Sequence, residues 1–157
     1  MKFMVSRRGE YLLLSGITLI AVLARFWGIW HIPPGLHFDE AFECVQALDV
    51  LHGHRYPVFF EGNYGVEPTL IYLIALFFRL FGMSDLAGRL IAAAVGALTV
   101  PALHLLLRTV FWRQGRERAI RLGLLSALTL AVLYWHVHFS RLGIEPILVP
   151  LNVILAL

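Results

Sequence analysis

His37-Phe38-Asp39-Glu40 places two adjacent carboxylates just past a greasy segment long enough to cross a bilayer. A carboxylate at a water-facing membrane boundary can accept a proton from an incoming hydroxyl, or it can merely cap a helix. A helix beginning here has both acids in its first turn, where the helix dipole favours negative charge. The chemical reading makes Asp39 a general base, with Glu40 orienting it or a substrate and His37 close enough to join the site.

The elements that must hold these residues follow from composition and periodicity. Of 157 residues, 59% are hydrophobic, and the mean hydropathy is +0.77; soluble domains average about 45–50% apolar. The fold class expected is an all-α polytopic membrane protein, with the lipid bilayer as its solvent. The single cysteine, Cys44, excludes an internal disulfide. The net charge of +3 is no nucleic-acid signal, because the basic residues cluster where membrane topology wants them.

Lys2, Arg7 and Arg8 form a cytoplasmic flank, followed by a first span over 11–30 that ends in an aromatic belt and Pro33-Pro34-Gly35. Arg25 is expected to snorkel to the outer end of that span. Helical spacing over 39–52 puts Phe38, Phe42, Val45, Leu48 and Leu51 on one face and Glu40, Glu43 and Gln46 elsewhere, with Gly53 as the stop. Fourteen residues cannot span, so this is read as an interfacial amphipathic helix. Glu67-Pro68 opens a second short helix over 67–82, in which Glu67 either caps the helix or faces a cavity.

Charge decides whether 67–82 crosses. A span over 86–112 is followed by Arg113, Arg116, Arg118 and Arg121, which belong on the cytoplasmic side. Counting 67–82 as a crossing would put that loop outside, so the segment is read as non-spanning. A span over 122–139 returns outward, a short outer loop 140–146 follows, and a last span over 147–157 stops inside an apolar run. The chain is therefore expected to be the amino-terminal portion of a longer protein. His136 and His138 are two apart, which on a helix separates them, and no metal-ligand spacing involves His31 or His37.

The ordered set of motifs resembles the GT-C glycosyltransferases, and among them glycosyltransferase family 39, the protein O-mannosyltransferases and lipid A aminoarabinose transferases. Phe38-Asp39-Glu40-Ala41 corresponds to the Asp-Glu motif of the first outer loop. Gly65-Val66-Glu67-Pro68 and Leu80-Phe81-Gly82 resemble the start and end of the second short helix. Ser140-Arg141-Leu142-Gly143-Ile144-Glu145-Pro146 resembles the second outer loop, with Glu145 where relatives often carry Asp. The resemblance runs from about Ala24 to the end. It implies a GT-C-like amino-terminal module that passes a sugar from a polyprenyl-phosphate donor to a hydroxyl acceptor on the outer face, with inversion.

In that reading Asp39 and Glu145 are the catalytic acids, with Glu40, Glu67 and His37 contacting substrate. Arg141 and Arg55 are the outer-face cations for the leaving phosphate. Some members of the family use a divalent cation and others do not, so the sequence leaves cofactor and metal open. The competing readings are a transporter or flippase subunit, which would carry acids in mid-span, and a non-catalytic membrane scaffold.

Overall fold

The computed structural model describes residues 6–53, 56–63 and 65–157. The described residues form helices, joined by 3₁₀ turns and loops, with a lone antiparallel bridge between Phe60 and Val66. In chain order the helices are α1 (Arg7–Phe26), α2 (Phe38–Leu51), α3 (Thr69–Phe81), α4 (Ala87–Val110), α5 (Arg116–Val132), α6 (Tyr134–Phe139) and α7 (Leu148–Ala156). Two of them are long and apolar enough to cross a membrane: α1, with 20 residues, and α4, with 24.

α1, α4 and α5 pack on one another, and α7 lies along α4. Small residues make the seams: Ala21 of α1, Val100 of α4 and Ala127 and Ala131 of α5 are fully buried together. Polar contacts give the directions. At one end, Glu10 of α1 meets His104 and Arg108 from the last turns of α4 and Arg116 from the start of α5. At the other end, Arg25 of α1 meets Ser140 and His136, while Arg89 of α4 meets Glu40. α4 thus runs antiparallel to both α1 and α5, which are parallel to each other. The segment from Trp27 to Leu86 leaves and re-enters at the same end, where α2 and α3 pack on each other and on α4. Outward-facing side chains on α1 are large and apolar, Leu12 at 74% exposure among them.

The expected boundaries hold for the short helices and shift for the long ones. Gly53 and Gly82 end α2 and α3 with φ of +74° and +89°, a conformation that costs a Cβ-bearing residue energy. α1 begins four residues before the expected span and ends at Phe26, so Trp27 to Trp30 are turn rather than helix. The expected span 122–139 is not one helix. α5 starts earlier, at Arg116, and the chain turns extended at Leu133 before α6 resumes.

That break explains Arg25, whose expected snorkelling does not occur. Arg25 is fully buried. Its Nη1 donates to Ala21 O at 2.9 Å and Ala131 O at 3.1 Å, and its Nη2 to Leu130 O at 3.3 Å. Its Nε donates to Ser140 Oγ at 3.1 Å, and Nη2 lies 2.7 Å from His136 Nδ1. The carbonyls freed where α5 stops are satisfied by a guanidinium from α1, as buried backbone acceptors require.

Backbone contact fixes the segment that carries Glu145. A Cβ on Gly143 would lie 2.7 Å from Gly88 C and 2.9 Å from Arg89 N. Gly143→Ala is therefore expected to push this loop off α4, at a cost of about 1–3 kcal/mol for overpacking. Thermal unfolding of the variant in detergent checks it.

Candidate functional site

α2 turns its acids inward. Its fully buried positions are Glu40, Glu43, Ala47 and Val50, whereas Phe38 and Val45 are exposed at 70% and 55%. The buried face thus mixes two acids at the start of the helix with Ala47 and Val50 further along, and Phe42, Leu48 and Leu51 pack beside it against the core.

Glu40 joins three parts of the chain. Arg89 Nε donates to its Oε1 at 2.7 Å and Arg89 Nη2 to its Oε2 at 2.8 Å, a two-pronged pair between residues buried to within a few per cent. The His37 N–H donates to Oε2 at 2.8 Å, and the Gly143 N–H to Oε1 at 3.0 Å. Arg89 also donates to Pro33 O at 2.8 Å and to Gly35 O. Burial alone would raise the Glu40 carboxyl; Arg89 and the two backbone donors outweigh it and hold the group below its ordinary value. Both of its oxygens are thus engaged by donors of the protein itself. The bond to Gly143 carries the second outer loop to the start of α2.

Asp39 stands beside this lock and faces outward, its side chain 33% exposed. Asn63 Nδ2 donates to Oδ1 at 2.7 Å. His37 Nδ1 lies 3.2 Å from Oδ2 and 3.3 Å from the Asp39 N–H. His37 is thereby the cap of α2, reciprocated by Glu40. A carboxylate held by an amide on one oxygen and still open to solvent is suited to accept a proton.

Behind it lies the residue that sequence reasoning did not select. Glu43 is 1% exposed, and neither carboxyl oxygen has a hydrogen-bond partner of proper geometry. Burial, then the adjacent Glu145 carboxyl, then the charge of Asp39 push Glu43 up to about 10, against a smaller opposing pull from the Glu145 backbone. Glu43 is accordingly a neutral acid at pH 7, and it is the group through which Asp39 and Glu145 are electrostatically neighbours. Glu145 itself is half-buried at the head of the 3₁₀ turn Glu145–Ile147.

A pH dependence follows. The folded state keeps a proton on Glu43 that the unfolded chain loses above the ordinary carboxyl value of 4.5. Its contribution to stability is complete below that value and is lost as pH rises toward about 10, at up to about 1.4 kcal/mol per pH unit. Glu43→Gln is neutral at every pH. It is expected to flatten this slope and to exceed the parent in stability at pH 9, as melting curves across pH would register.

The remaining expected residues are placed as follows. Glu67 is exposed, and its Oε2 accepts from the Thr69 hydroxyl at 2.7 Å and the Thr69 N–H at 3.4 Å, which is the capping alternative. Arg141 Nη1 donates to Ala24 O at 3.0 Å and Nη2 to Ile32 O at 2.9 Å, so these donors close the end of α1. Arg55 lies outside the described residues. A cavity of about 340 Å³ beside α2 is lined by Gln46, Pro57, Phe60 and Gly62 among others, and not by Asp39 or Glu145. Among the described residues no group of three or more His, Cys, Asp or Glu side chains is arranged to hold a metal ion.

Two signals for these placements lay in the sequence. Arg89, inside an apolar helix, needed an acid partner from the same end of the bundle. Glu43, three residues after Glu40, had to share its face. No family model matches the chain, and neither a curated protein nor a solved structure matches it.

Proposed function

We propose that this chain is the catalytic amino-terminal part of a membrane glycosyltransferase of the GT-C type, acting at the non-cytoplasmic face. The observation that carries the reading is the 3.0 Å hydrogen bond from the Gly143 N–H to Glu40, which brings the loop of Glu145 to the start of the helix that bears Asp39. A further support is that α1 ends and α4 begins at the end of the bundle bearing these acids. With the amino terminus inside, that end is the outer one. The basic loop 113–121 then falls on the cytoplasmic side, as the positive-inside tendency asks. α3 is apolar on its outer side as well, with Leu76, Leu80 and Phe81 exposed, which suits a helix lying at the lipid boundary.

In this reading the donor reaches the site sideways through the bilayer on its lipid phosphate. The Asp39 carboxylate takes the proton of the acceptor hydroxyl as that oxygen bonds to the anomeric carbon. The bond from that carbon to the phosphate oxygen breaks with its electron pair leaving on the phosphate, and Asp39 returns the proton to water. Glu43, being neutral, lets Glu145 stand near Asp39 without a third negative charge. Glu145 orients the acceptor. Arg55 is the remaining outer-face candidate for the phosphate, since Arg141 is engaged with carbonyls.

The test is direct. The full chain is reconstituted in vesicles with a panel of polyprenyl-phosphate sugars and a membrane extract as acceptor source, and release of polyprenyl phosphate is followed. Acceptor-dependent release with one donor supports the reading; no release with any donor sinks it.

A further inference from the structure

The opposite end of the bundle has a different chemistry. Arg7, Arg8 and Arg108 gather there with the four arginines of 113–121, against only two acids, Glu10 and Glu117. Glu10 is fully buried and engaged with His104, Arg108 and Arg116, and Glu117 pairs with Arg121 at 2.9 Å. The positive surface is therefore left largely uncompensated. Arg113 and Arg118 are exposed and form no ion pair among the described residues.

Two cavities flank the 3₁₀ turn Trp112–Gln114. One, of about 400 Å³, has an apolar wall of Leu105 and Trp112 with Thr109 and Arg108 at its polar edge. The Arg108 guanidinium lies 5.8 Å from the centre of the Trp112 ring. The other, of about 410 Å³, is lined by Gln114, Gly115, Arg116, Arg118 and Arg121, with Glu117. Leu105, Val110 and Trp112 around the turn are about half exposed or more. An apolar notch opening beside a cluster of guanidinium groups matches a molecule with a hydrocarbon tail and an anionic head.

We infer that this end is a docking surface for an anionic phospholipid, whose headgroup phosphate sits among the arginines of 108–121 and whose acyl chain lies against Leu105 and Trp112. A free phosphate would leave the apolar wall unused, and a nucleic acid would have no use for a notch at membrane depth. The inference rests on the membrane part of the proposed function and not on sugar transfer. The arginines contribute about fivefold each in affinity for an anionic leaflet, attenuated by salt.

The experiment uses the full chain in nanodiscs doped with phosphatidylglycerol or phosphatidylcholine carrying brominated acyl chains. Quenching of Trp112 is read as the difference between the parent and Trp112→Phe, which keeps a ring beneath Arg108. Half-quenching is expected at a mole fraction of phosphatidylglycerol at least about twentyfold below that of phosphatidylcholine, the worth of two arginines. Arg113→Gln with Arg118→Gln, which removes surface charges that form no ion pair among the described residues, is expected to erase that advantage without changing the melting temperature.

Equal quenching by the two lipids overturns the inference, as does a double variant that keeps the preference. Loss of the preference to millimolar inorganic phosphate, or to an RNA oligonucleotide, overturns it too. A preference that survives Asp39→Asn and a silent transfer assay separates this surface from the acids at the other end.

Discussion

Under the proposed function, Asp39→Asn is expected to lower sugar transfer by about 10²–10⁴-fold, the range for losing a general base. The substitution keeps an acceptor oxygen for Asn63 and leaves the Glu40–Arg89 pair alone, so the melting curve should match the parent. The loss should fall on kcat, since the proton moves only as the new bond forms. Glu145→Gln supplies the contrast: a residue orienting the acceptor should raise KM more than it lowers kcat. An Asp39→Asn protein with unchanged kcat would remove the base from the mechanism. An inactive protein that no longer folds would instead overturn the expectation of a parent-like melting curve, and Glu145→Gln would then carry the test.

The second large effect belongs to stability. Arg89→Ala leaves Glu40 buried with its main counter-charge gone, which should cost about 3–5 kcal/mol. Against a total of about 5–15 kcal/mol for a typical domain, that is close to unfolding. Glu40→Gln should cost less, because an amide still accepts from Gly143 and His37. Arg89→Lys cannot serve two carboxylate oxygens and two carbonyls from one ammonium, so it should not restore stability.

Replacing both residues with methionine should be milder than Arg89→Ala, since no charge is then stranded. Acid reinforces the point. The Glu40 carboxyl is held below its ordinary value in the fold, so its stabilisation is present above about pH 4.5 and disappears as pH falls further. Melting temperatures of the four variants, at neutral and acid pH, give the comparison.

What could be read from the sequence was local. The period of 39–52, the glycine stops and the acids in the first turn of α2 all depend on neighbours within four residues. The structure places α2 within one residue of that reading. Which side of α2 faces the protein was not local. The pattern marks Phe38, Phe42, Val45, Leu48 and Leu51 as one face without saying what it meets, and the structure divides it: Phe38 and Val45 are exposed, whereas Phe42, Leu48 and Leu51 pack against the core. Glu43 lies on the buried side, which is why its part went unread.

Arg25 shows the same limit. Hydropathy alone places it near a membrane end, whereas the bare carbonyls at Leu130 and Ala131 that draw it inside belong to a helix break a hundred residues on. The resemblance to GT-C enzymes drew attention to Asp39, Glu40 and Glu145. It did not show that Glu40 is engaged by Arg89 and by the backbone of His37 and Gly143.

The Glu40 junction has a consequence for biosynthesis. Its partners Arg89 and Gly143 come 49 and 103 residues later in the chain. At a ribosomal rate of about 5–20 residues per second, Glu40 waits several seconds for the first and longer for the second. During that interval its charge must stay hydrated, so α2 cannot settle until the fourth helix has been delivered. A nascent chain halted between those two points would carry the ion pair without Glu145. It would be partly folded and chemically blank.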